Sequence, residues 1–253
     1  MEPQLGKGRM AELEHITSSA AEALIGDALA GLGYERFGII LARGAKSWGA
    51  VPGALPFAID HDEREAPFAC GEDGLEQKDL LVSLADENGY LACAWAKVPG
   101  DSPLMGLGID LASSDDFDDR SVSQHFIRLL FTDTEKAIAR EGAFPQEGAY
   151  DPPLRHAALF GAKEAAFKAT AQPLRRWYEA HDEELAFEIR HFAMTAPGIE
   201  RGDERDGAAQ RAMDAMGIDR IEVRACELDG MALVVACAVG PGGAPAELPG
   251  VLD

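Results

Sequence analysis

The sequence predicts an α+β protein made of two similar halves, at residues 1–103 and 104–245, with a short tail at 246–253. Two pairs of apolar segments, each joined by a glycine-containing turn, are typical of antiparallel hairpins. Segments with apolar residues at helical spacing lie between them. The two hairpins resemble each other, since each is a strand, a turn and an apolar strand with repeated alanines. This weak repeat indicates two related halves, each with a small antiparallel sheet packed on helices.

The N-terminal half begins with a predicted helix over residues 10–31, where apolar residues recur at helical spacing. A strand at 37–41 follows. Residues 43–78 are rich in glycine, proline and charge, which predicts loops. The first hairpin is predicted at 80–84 and 90–95, because the Asn-Gly pair between these runs is a strong turn signal.

The C-terminal half continues with a short buried strand, several helices and the second hairpin. The predicted helices span residues 121–131, 133–141, 154–171 and 208–216. The predicted strands span residues 106–111, 185–194, 221–226 and 231–239. The C-terminal end has prolines at 241, 245 and 249, so we expect the tail to be poorly ordered.

The composition limits the kinds of partner. With 23 basic and 44 acidic residues the chain has a formal charge of −21, which argues against nucleic acid or an anionic membrane as the main partner. Residues 120–190 carry ten basic and eleven acidic residues, so this segment is nearly neutral and repels an anionic ligand least. No apolar run has the length of a membrane span, and the N-terminus has no signal-peptide pattern. We therefore expect a cytoplasmic protein.

The four cysteines show no paired metal-binding spacing. Two of them, Cys93 and Cys237, sit inside apolar runs that read as strands. We expect reduced, buried thiols, as in cytoplasmic proteins, instead of disulfides or a metal site.

Three short motifs in the C-terminal half hold the candidate functional residues. They read G-L-G-I-D at residues 106–110, F-T-D-T-E at 131–135 and F-G-A-K-E-A-A-F-K at 160–168. The first delivers one carboxylate at the end of a predicted strand. The third places Glu164 and Lys168 on one helix face, because residues four apart are neighbours there. In this order and spacing the motifs resemble those of the 4'-phosphopantetheinyl transferases, which load carrier proteins with the arm of coenzyme A.

The resemblance implies a fold, an activity and roles for four residues. The longer, surfactin-type members have two pseudo-symmetric halves, each similar to one subunit of the small holo-acyl-carrier-protein synthases. The activity implied is transfer of 4'-phosphopantetheine from coenzyme A to a serine of an acyl or peptidyl carrier protein, in fatty acid or polyketide biosynthesis. Asp110 and Glu164 are implied as Mg²⁺ ligands, a role that suits carboxylate oxygens. Lys163 and Lys168 are expected to bind coenzyme A phosphates, with Glu164 and Lys168 as catalytic residues.

Two positions depart from the family pattern. Ala112 stands where the longer members usually have a second acidic residue, two positions after the aspartate of the first motif. The Ser-His pair that contacts the nucleotide phosphate is matched here to Ala85-Asp86. These departures keep an alternative function open, namely a catalytically degenerate member of the fold that acts as a binding protein. A chance match in an unrelated α/β enzyme is the third possibility.

Overall fold

A computed structural model of the chain describes residues 14–16, 19–43, 57–71, 73–118, 120–142, 151–182, 184–194, 198–199 and 207–242. Within these ranges the chain forms two four-stranded antiparallel sheets, one two-stranded sheet and seven α-helices. The predicted α+β class is therefore confirmed. None of the described helices combines the length and the apolar character that crossing a lipid bilayer requires.

The N-terminal half holds one of the larger sheets and the small one. Its elements are β1 (Glu14–Ile16), α1 (Ser19–Leu29), β2 (Arg36–Arg43), β3 (Ala58–His61), β4 (Pro67–Cys70), β5 (Leu80–Glu87) and β6 (Tyr90–Lys97). The larger sheet has the strand order β1-β2-β6-β5, and β3 with β4 forms a separate hairpin. The turn between β5 and β6 uses Asn88 and Gly89, both at positive φ, as the Asn-Gly signal predicts.

The C-terminal half repeats this arrangement. Its strands are β7 (Leu104–Ser113), β8 (Gly198–Ile199), β9 (Arg220–Leu228) and β10 (Met231–Val239). Its helices are α2 (Asp115–Asp118), α3 (Arg120–Leu130), α4 (Asp133–Glu141), α5 (Pro152–Ala169), α6 (Ala171–Ala180) and α7 (Ala208–Met216). The strand order is β7-β10-β9-β8. In both halves the first long strand pairs with the last strand, which in turn pairs with the strand before it, so these three strands share one topology. The fourth strand differs, since β1 lies beside β2 and β8 lies beside β9.

The C-terminal sheet lies at the centre of the molecule. On one face, α5 packs against small side chains of the sheet, including Ala112, Val234 and Ala236. On the other face, residues such as Ile109 and Leu233 pack against α1 and the N-terminal sheet. All nine residues of β10 are buried for this reason. A strand covered on both faces reads as a continuous apolar run, which is the pattern in the sequence.

Two glycines of the first motif let α5 approach the sheet backbone. A Cβ atom placed on Gly106 would lie 2.0 Å from the carbonyl oxygen of Ala169, and one on Gly108 would lie 1.8 Å from that of Ala165. Any other residue at these positions would push α5 away from β7. The glycines are thus required for packing, and they bring the helix of the third motif directly over the strand that carries Asp110.

The two halves also meet along β7. The amide of Ile109 donates a hydrogen bond of 3.0 Å to the Ser83 hydroxyl on β5. The side-chain amide of Asn88 donates to the Ser113 hydroxyl at 2.9 Å, which ties the turn of the first hairpin to the end of β7. The Tyr90 hydroxyl donates to the Asp229 carboxylate in the turn of the second hairpin. The region at the end of β7 is therefore built from both halves.

Several element predictions in the N-terminal half need correction. The helix predicted over 10–31 covers only Ser19–Leu29, and Glu14–Ile16 is a strand in which Ile16 lies opposite Leu41. The region predicted as loops, 43–78, contains β3 and β4. Both strands are only four residues long and are separated by charged residues, so neither gives a clear period-two pattern.

In the C-terminal half, the helices and the second hairpin are confirmed, but the strand predicted over 185–194 is wrong. That segment contains a single turn of 3-10 helix at Ile189–His191. Its apolar residues instead cover the end of α5, where Phe187 and Phe192 pack around Phe167. The predicted tail at 246–253 lies outside the described residues.

Candidate active site

Asp110 and Lys168 form an ion pair between β7 and α5. The Lys168 ammonium donates to Asp110 Oδ1 at 2.7 Å and to the Ile109 carbonyl oxygen at 3.2 Å. Asp110 is buried, and Lys168 is partly open to solvent. Gly161 passes directly over this aspartate, since a Cβ on that glycine would lie 3.3 Å from Asp110 Oδ2. The small residue lets the helix cover the carboxylate without displacing it.

Glu164 lies one turn before Lys168 on α5 and completes a group of three charges. The pKa of Asp110 is raised to about 6, because the effect of burial outweighs that of Lys168, which lowers the pKa. The Glu164 carboxylate also raises it. Burial also raises the pKa of Glu164, and Lys168 opposes that shift. The two carboxylates are therefore near enough to repel each other and share one lysine. The structure brings these three predicted site residues together from β7 and α5.

Further negative charge surrounds Asp110. Burial raises the pKa of Glu87 at the end of β5, and the neighbouring carboxylates of Asp116, Asp110 and Asp86 raise it further. Ala112, where the family pattern has a second acidic residue, is buried against α5 and supplies no oxygen ligand. In the described part of the chain no cluster of three or more acidic, histidine or cysteine residues has metal-binding geometry. Mg²⁺ usually takes only one or two protein carboxylates together with substrate phosphates and water, so the pair of Asp110 and Glu164 fits it.

Lys163 does not face this group. Its ammonium is fully buried, donates to Glu135 Oε1 at 2.8 Å and also donates to the carbonyl oxygen of Phe192. A fully buried ammonium that is already paired is out of reach of a bound phosphate. The expectation that Lys163 binds coenzyme A therefore needs correction, and its role is to join α5 to α4 and to the segment at 192–194.

Glu135 is a buried residue whose role the sequence interpretation missed. Its Oε1 accepts from the amide of Met194 at 2.8 Å as well as from Lys163, and its Oε2 accepts from the amide of Thr132 at 2.7 Å. The Thr132 hydroxyl accepts from the Glu135 amide, so the second motif is a capping box that starts α4. The Thr-x-x-Glu spacing in the sequence predicts the capping box. The ion pair of Glu135 with Lys163 is a tertiary contact, which local spacing does not predict.

A cavity of about 370 Å³ opens beside Lys168. Its walls come from the β3–β4 hairpin, from β5, from the end of α5 and from α6. The lining residues are His61, Asp62, Arg64, Glu65, Ala66, Pro67, Val82, Ser83, Leu84, Phe167, Lys168, Thr170, Ala171, Leu174, Arg175 and Tyr178. The volume falls within the range of small-molecule sites. Most of the lining surface is apolar, although nine of the sixteen lining residues have polar or charged side chains.

The cavity does not include the residues matched to the Ser-His pair. Asp86 is exposed on β5 and Ala85 is buried, and neither lines the cavity, whereas Ser83 and Leu84, two positions earlier, both do. On β5 the wall therefore offers one hydroxyl and no cation.

Comparison with known proteins identifies the C-terminal half. Residues 106–220 match the family model of the 4'-phosphopantetheinyl transferase superfamily. A solved structure of holo-[acyl-carrier-protein] synthase from Neisseria meningitidis is 19% identical, with a TM-score of 0.38, over 53% of this chain and 98% of that chain. The holo-ACP-synthase from Plasmodium yoelii is 16% identical, with a TM-score of 0.37, over 54% and 95%. No curated protein sequence matches the chain significantly.

The matched segment contains all three motifs, from the glycines of β7 to Lys168 on α5. This part of the chain belongs to the 4'-phosphopantetheinyl transferase superfamily, a class of transferase enzymes. The family assignment made from the motifs is thus confirmed.

Proposed function

We propose that this protein transfers 4'-phosphopantetheine from coenzyme A to a serine of an acyl or peptidyl carrier protein, with Mg²⁺ as cofactor. The observation that carries the proposal is the group of Asp110, Glu164 and Lys168, of which Lys168 lines a cavity of about 370 Å³. Two acidic groups next to a lysine that lines a small-molecule site suit a reaction on a diphosphate. The four cysteines are free, which supports a reducing compartment such as the cytoplasm.

The reaction forms one phosphorus–oxygen bond and breaks another. The serine oxygen attacks the phosphorus next to the pantetheine arm, the bond within the diphosphate breaks, and adenosine 3',5'-bisphosphate leaves. Asp110 and Glu164 would hold Mg²⁺, which when bound supplies positive charge for the developing negative charge. Lys168, already fixed by the Ile109 carbonyl oxygen, would hold a phosphate oxygen as a point charge.

Glu164, or a water that the metal orders, is the candidate base for the serine proton. Burial raises the pKa of Glu164, which improves a carboxylate as a proton acceptor near neutral pH. Lys168 on the next turn lowers this pKa and so favours the ionised form, which is the form that accepts a proton.

Mass spectrometry of carrier proteins tests the proposal. The protein is incubated with coenzyme A, Mg²⁺ and a panel of apo-carrier proteins, and each carrier is weighed before and after. We expect at least one carrier to gain the mass of one phosphopantetheine. If the whole panel stays unmodified and Mg²⁺ does not bind, the protein is a binding protein without catalysis, the alternative that the departures at Ala112 and Ala85-Asp86 favour.

The pH dependence of Mg²⁺ binding is a second test. Because burial raises the pKa of Asp110 to about 6, this carboxyl is protonated below that pH and ionised above it. A proton then competes with the metal, so the affinity for Mg²⁺ should fall by about tenfold for each pH unit below 6 and level off above it. Calorimetric titration with Mg²⁺ alone, between pH 5 and 8, measures this. A constant affinity across that range would mean that Asp110 is not a ligand.

A further inference from the structure

We infer that the β3–β4 hairpin is a lid on the cavity, and that Arg175 on α6 is the latch that holds this lid closed. Six residues at the tip of the hairpin, between positions 61 and 67, line the cavity, and α6 forms the adjoining wall. Contacts between the tip and α6 therefore close the cavity on this side. Their release would widen the entrance for any ligand, so the inference concerns access and does not depend on which molecule binds.

The tip of the hairpin is closed by its own hydrogen bonds. The Asp62 amide donates to the Ala66 carbonyl oxygen at 3.1 Å, and the Glu65 amide donates to the Asp62 carbonyl oxygen at 2.9 Å. Asp62 Oδ1 accepts two more hydrogen bonds of 2.9 Å, from the amides of Arg64 and Ala66. All of these bonds lie within the turn, so they persist when the tip leaves α6 and the tip moves as one piece.

The base of the hairpin is held by apolar packing. Ala69 on β4 is buried in a cluster with Leu80 and Val82 of β5, and Ile59 of β3 packs on the same cluster. Separating these residues would expose apolar surface to water, which is unfavourable. The base therefore stays on the N-terminal sheet when the tip moves.

Charged contacts hold the tip on α6. Arg175 Nε lies 3.7 Å from Asp62 Oδ2, and the guanidinium carbon of Arg175 lies 4.8 Å from the centroid of the Phe68 ring on β4. In the reverse direction, the guanidinium carbon of Arg64 lies 3.7 Å from the centroid of the Tyr178 ring on α6. Partly exposed ion pairs and cation–π contacts are each weak in water, and salt screens the ion pairs. Such contacts keep a lid closed for most of the time and let it open.

Glu76 holds Arg175 in the latched position. Glu76 Oε1, in the linker between β4 and β5, lies 3.3 Å from Arg175 Nη1, which is closer than the contact of Arg175 with Asp62. With its guanidinium fixed at both ends, the arginine stays turned toward the hairpin. Glu76 does not line the cavity, whereas Asp62 and Arg175 do. Removing the charge of Glu76 should therefore loosen the latch without changing the groups that a ligand meets.

Labelling of a thiol inside the cavity tests the inference. Thr170, at the end of α5, lines the cavity and is only 1% exposed, so Thr170→Cys places a thiol that a reagent reaches when the lid opens. In this background Glu76→Gln should raise the rate of labelling by iodoacetamide at position 170 by about threefold or more, because one of the ion pairs that keep the lid closed is lost. Peptide mass spectrometry locates the label. Glu35→Gln is the matched control, since Glu35 forms an ion pair of the same length, 3.3 Å, with Lys97 and does not line the cavity.

An unchanged labelling rate in a folded Glu76→Gln variant overturns the inference, whether or not coenzyme A binds. Thermal unfolding shows that each variant is folded. Stopped-flow release of coenzyme A is the second readout, and Glu76→Gln should speed release by a similar factor. The lost negative charge cannot by itself produce this result, because removing a carboxylate that repels an anion slows its release. Faster labelling with unchanged release would also overturn the role of the hairpin as a lid. If the unaltered protein does not bind coenzyme A, the proposed function fails and the labelling result alone decides the inference.

Discussion

Replacing Asp110 by asparagine should abolish the modification of carrier proteins. The substitution keeps the shape of the side chain but removes the charge that pairs with Lys168 at 2.7 Å and that would hold Mg²⁺. Loss of an outer-shell partner of a metal typically costs ten- to a hundredfold in affinity or activity, so loss of a ligand should reduce the transfer rate by more than about a hundredfold. Glu164→Gln should have an effect of similar size, because it removes both a ligand and the candidate base.

The rate is measured from the mass of the carrier protein over time. Asp101→Asn is the control, since this exposed aspartate just before β7 lies outside the site and should leave the rate unchanged. The asparagine variant at position 110 should fold normally, because a neutral amide is less costly to bury than a carboxylate whose pKa is already raised to about 6. Undiminished transfer by a folded Asp110→Asn variant would show that the catalytic residues are assigned wrongly.

Replacing Lys163 by methionine should cause the largest loss of stability. The substitution removes the ammonium that pairs with Glu135 at 2.8 Å, and both side chains are fully buried. Breaking a buried pair by removing one partner leaves an uncompensated charge, which typically lowers the free energy of unfolding by about 3–5 kcal/mol. Urea unfolding measures the change. Lys136→Met is the matched control, because its ion pair with Asp133 at 3.0 Å is on the surface and should contribute at most about 1 kcal/mol.

A double substitution distinguishes lost charge pairing from lost packing. Glu135→Gln in the Lys163→Met background removes the unpaired charge, and its single side-chain oxygen can accept from only one of the amides of Thr132 and Met194. The double variant should still be more stable than Lys163→Met alone, because an unpaired buried charge costs more than one lost hydrogen bond. If it is less stable, the cost of Lys163→Met does not come from the buried carboxylate.

Most of the fold could be predicted because local signals agreed with the tertiary structure. The Asn88-Gly89 turn and the apolar run of β10 predicted hairpins that the structure contains. The predicted strand at 185–194 failed because alternating apolar residues there cover α5, with Phe187 and Phe192 around Phe167. In the part of the chain that the structure describes, no strand pairs with this segment. An alternating apolar pattern indicates that one side of the segment is buried. Pairing in a sheet is only one of the arrangements that can bury it.

The candidate site was predictable only in part, for a similar reason. The motifs indicated Asp110, Glu164 and Lys168, and the structure brings these three together. The sequence could not tell that Lys163, next to Glu164, faces a different partner, since this depends on Glu135, which lies 28 positions earlier. The cavity was missed because it depends on how a short hairpin packs on α6, and no local pattern encodes that contact.

The position of the C-terminal sheet between two layers has a consequence for any attempt to divide the chain. The half that carries the three motifs supplies only one of the two layers that cover its sheet. The other layer is formed by α1 and the N-terminal sheet. Produced on its own, this half would expose a wide surface of leucine, isoleucine and valine side chains, including Leu107, Ile109 and Val235. Such a surface drives aggregation or self-association. The N-terminal half therefore shields one face of this sheet, and its loss should cost solubility together with the cavity walls that the β3–β4 hairpin and β5 supply.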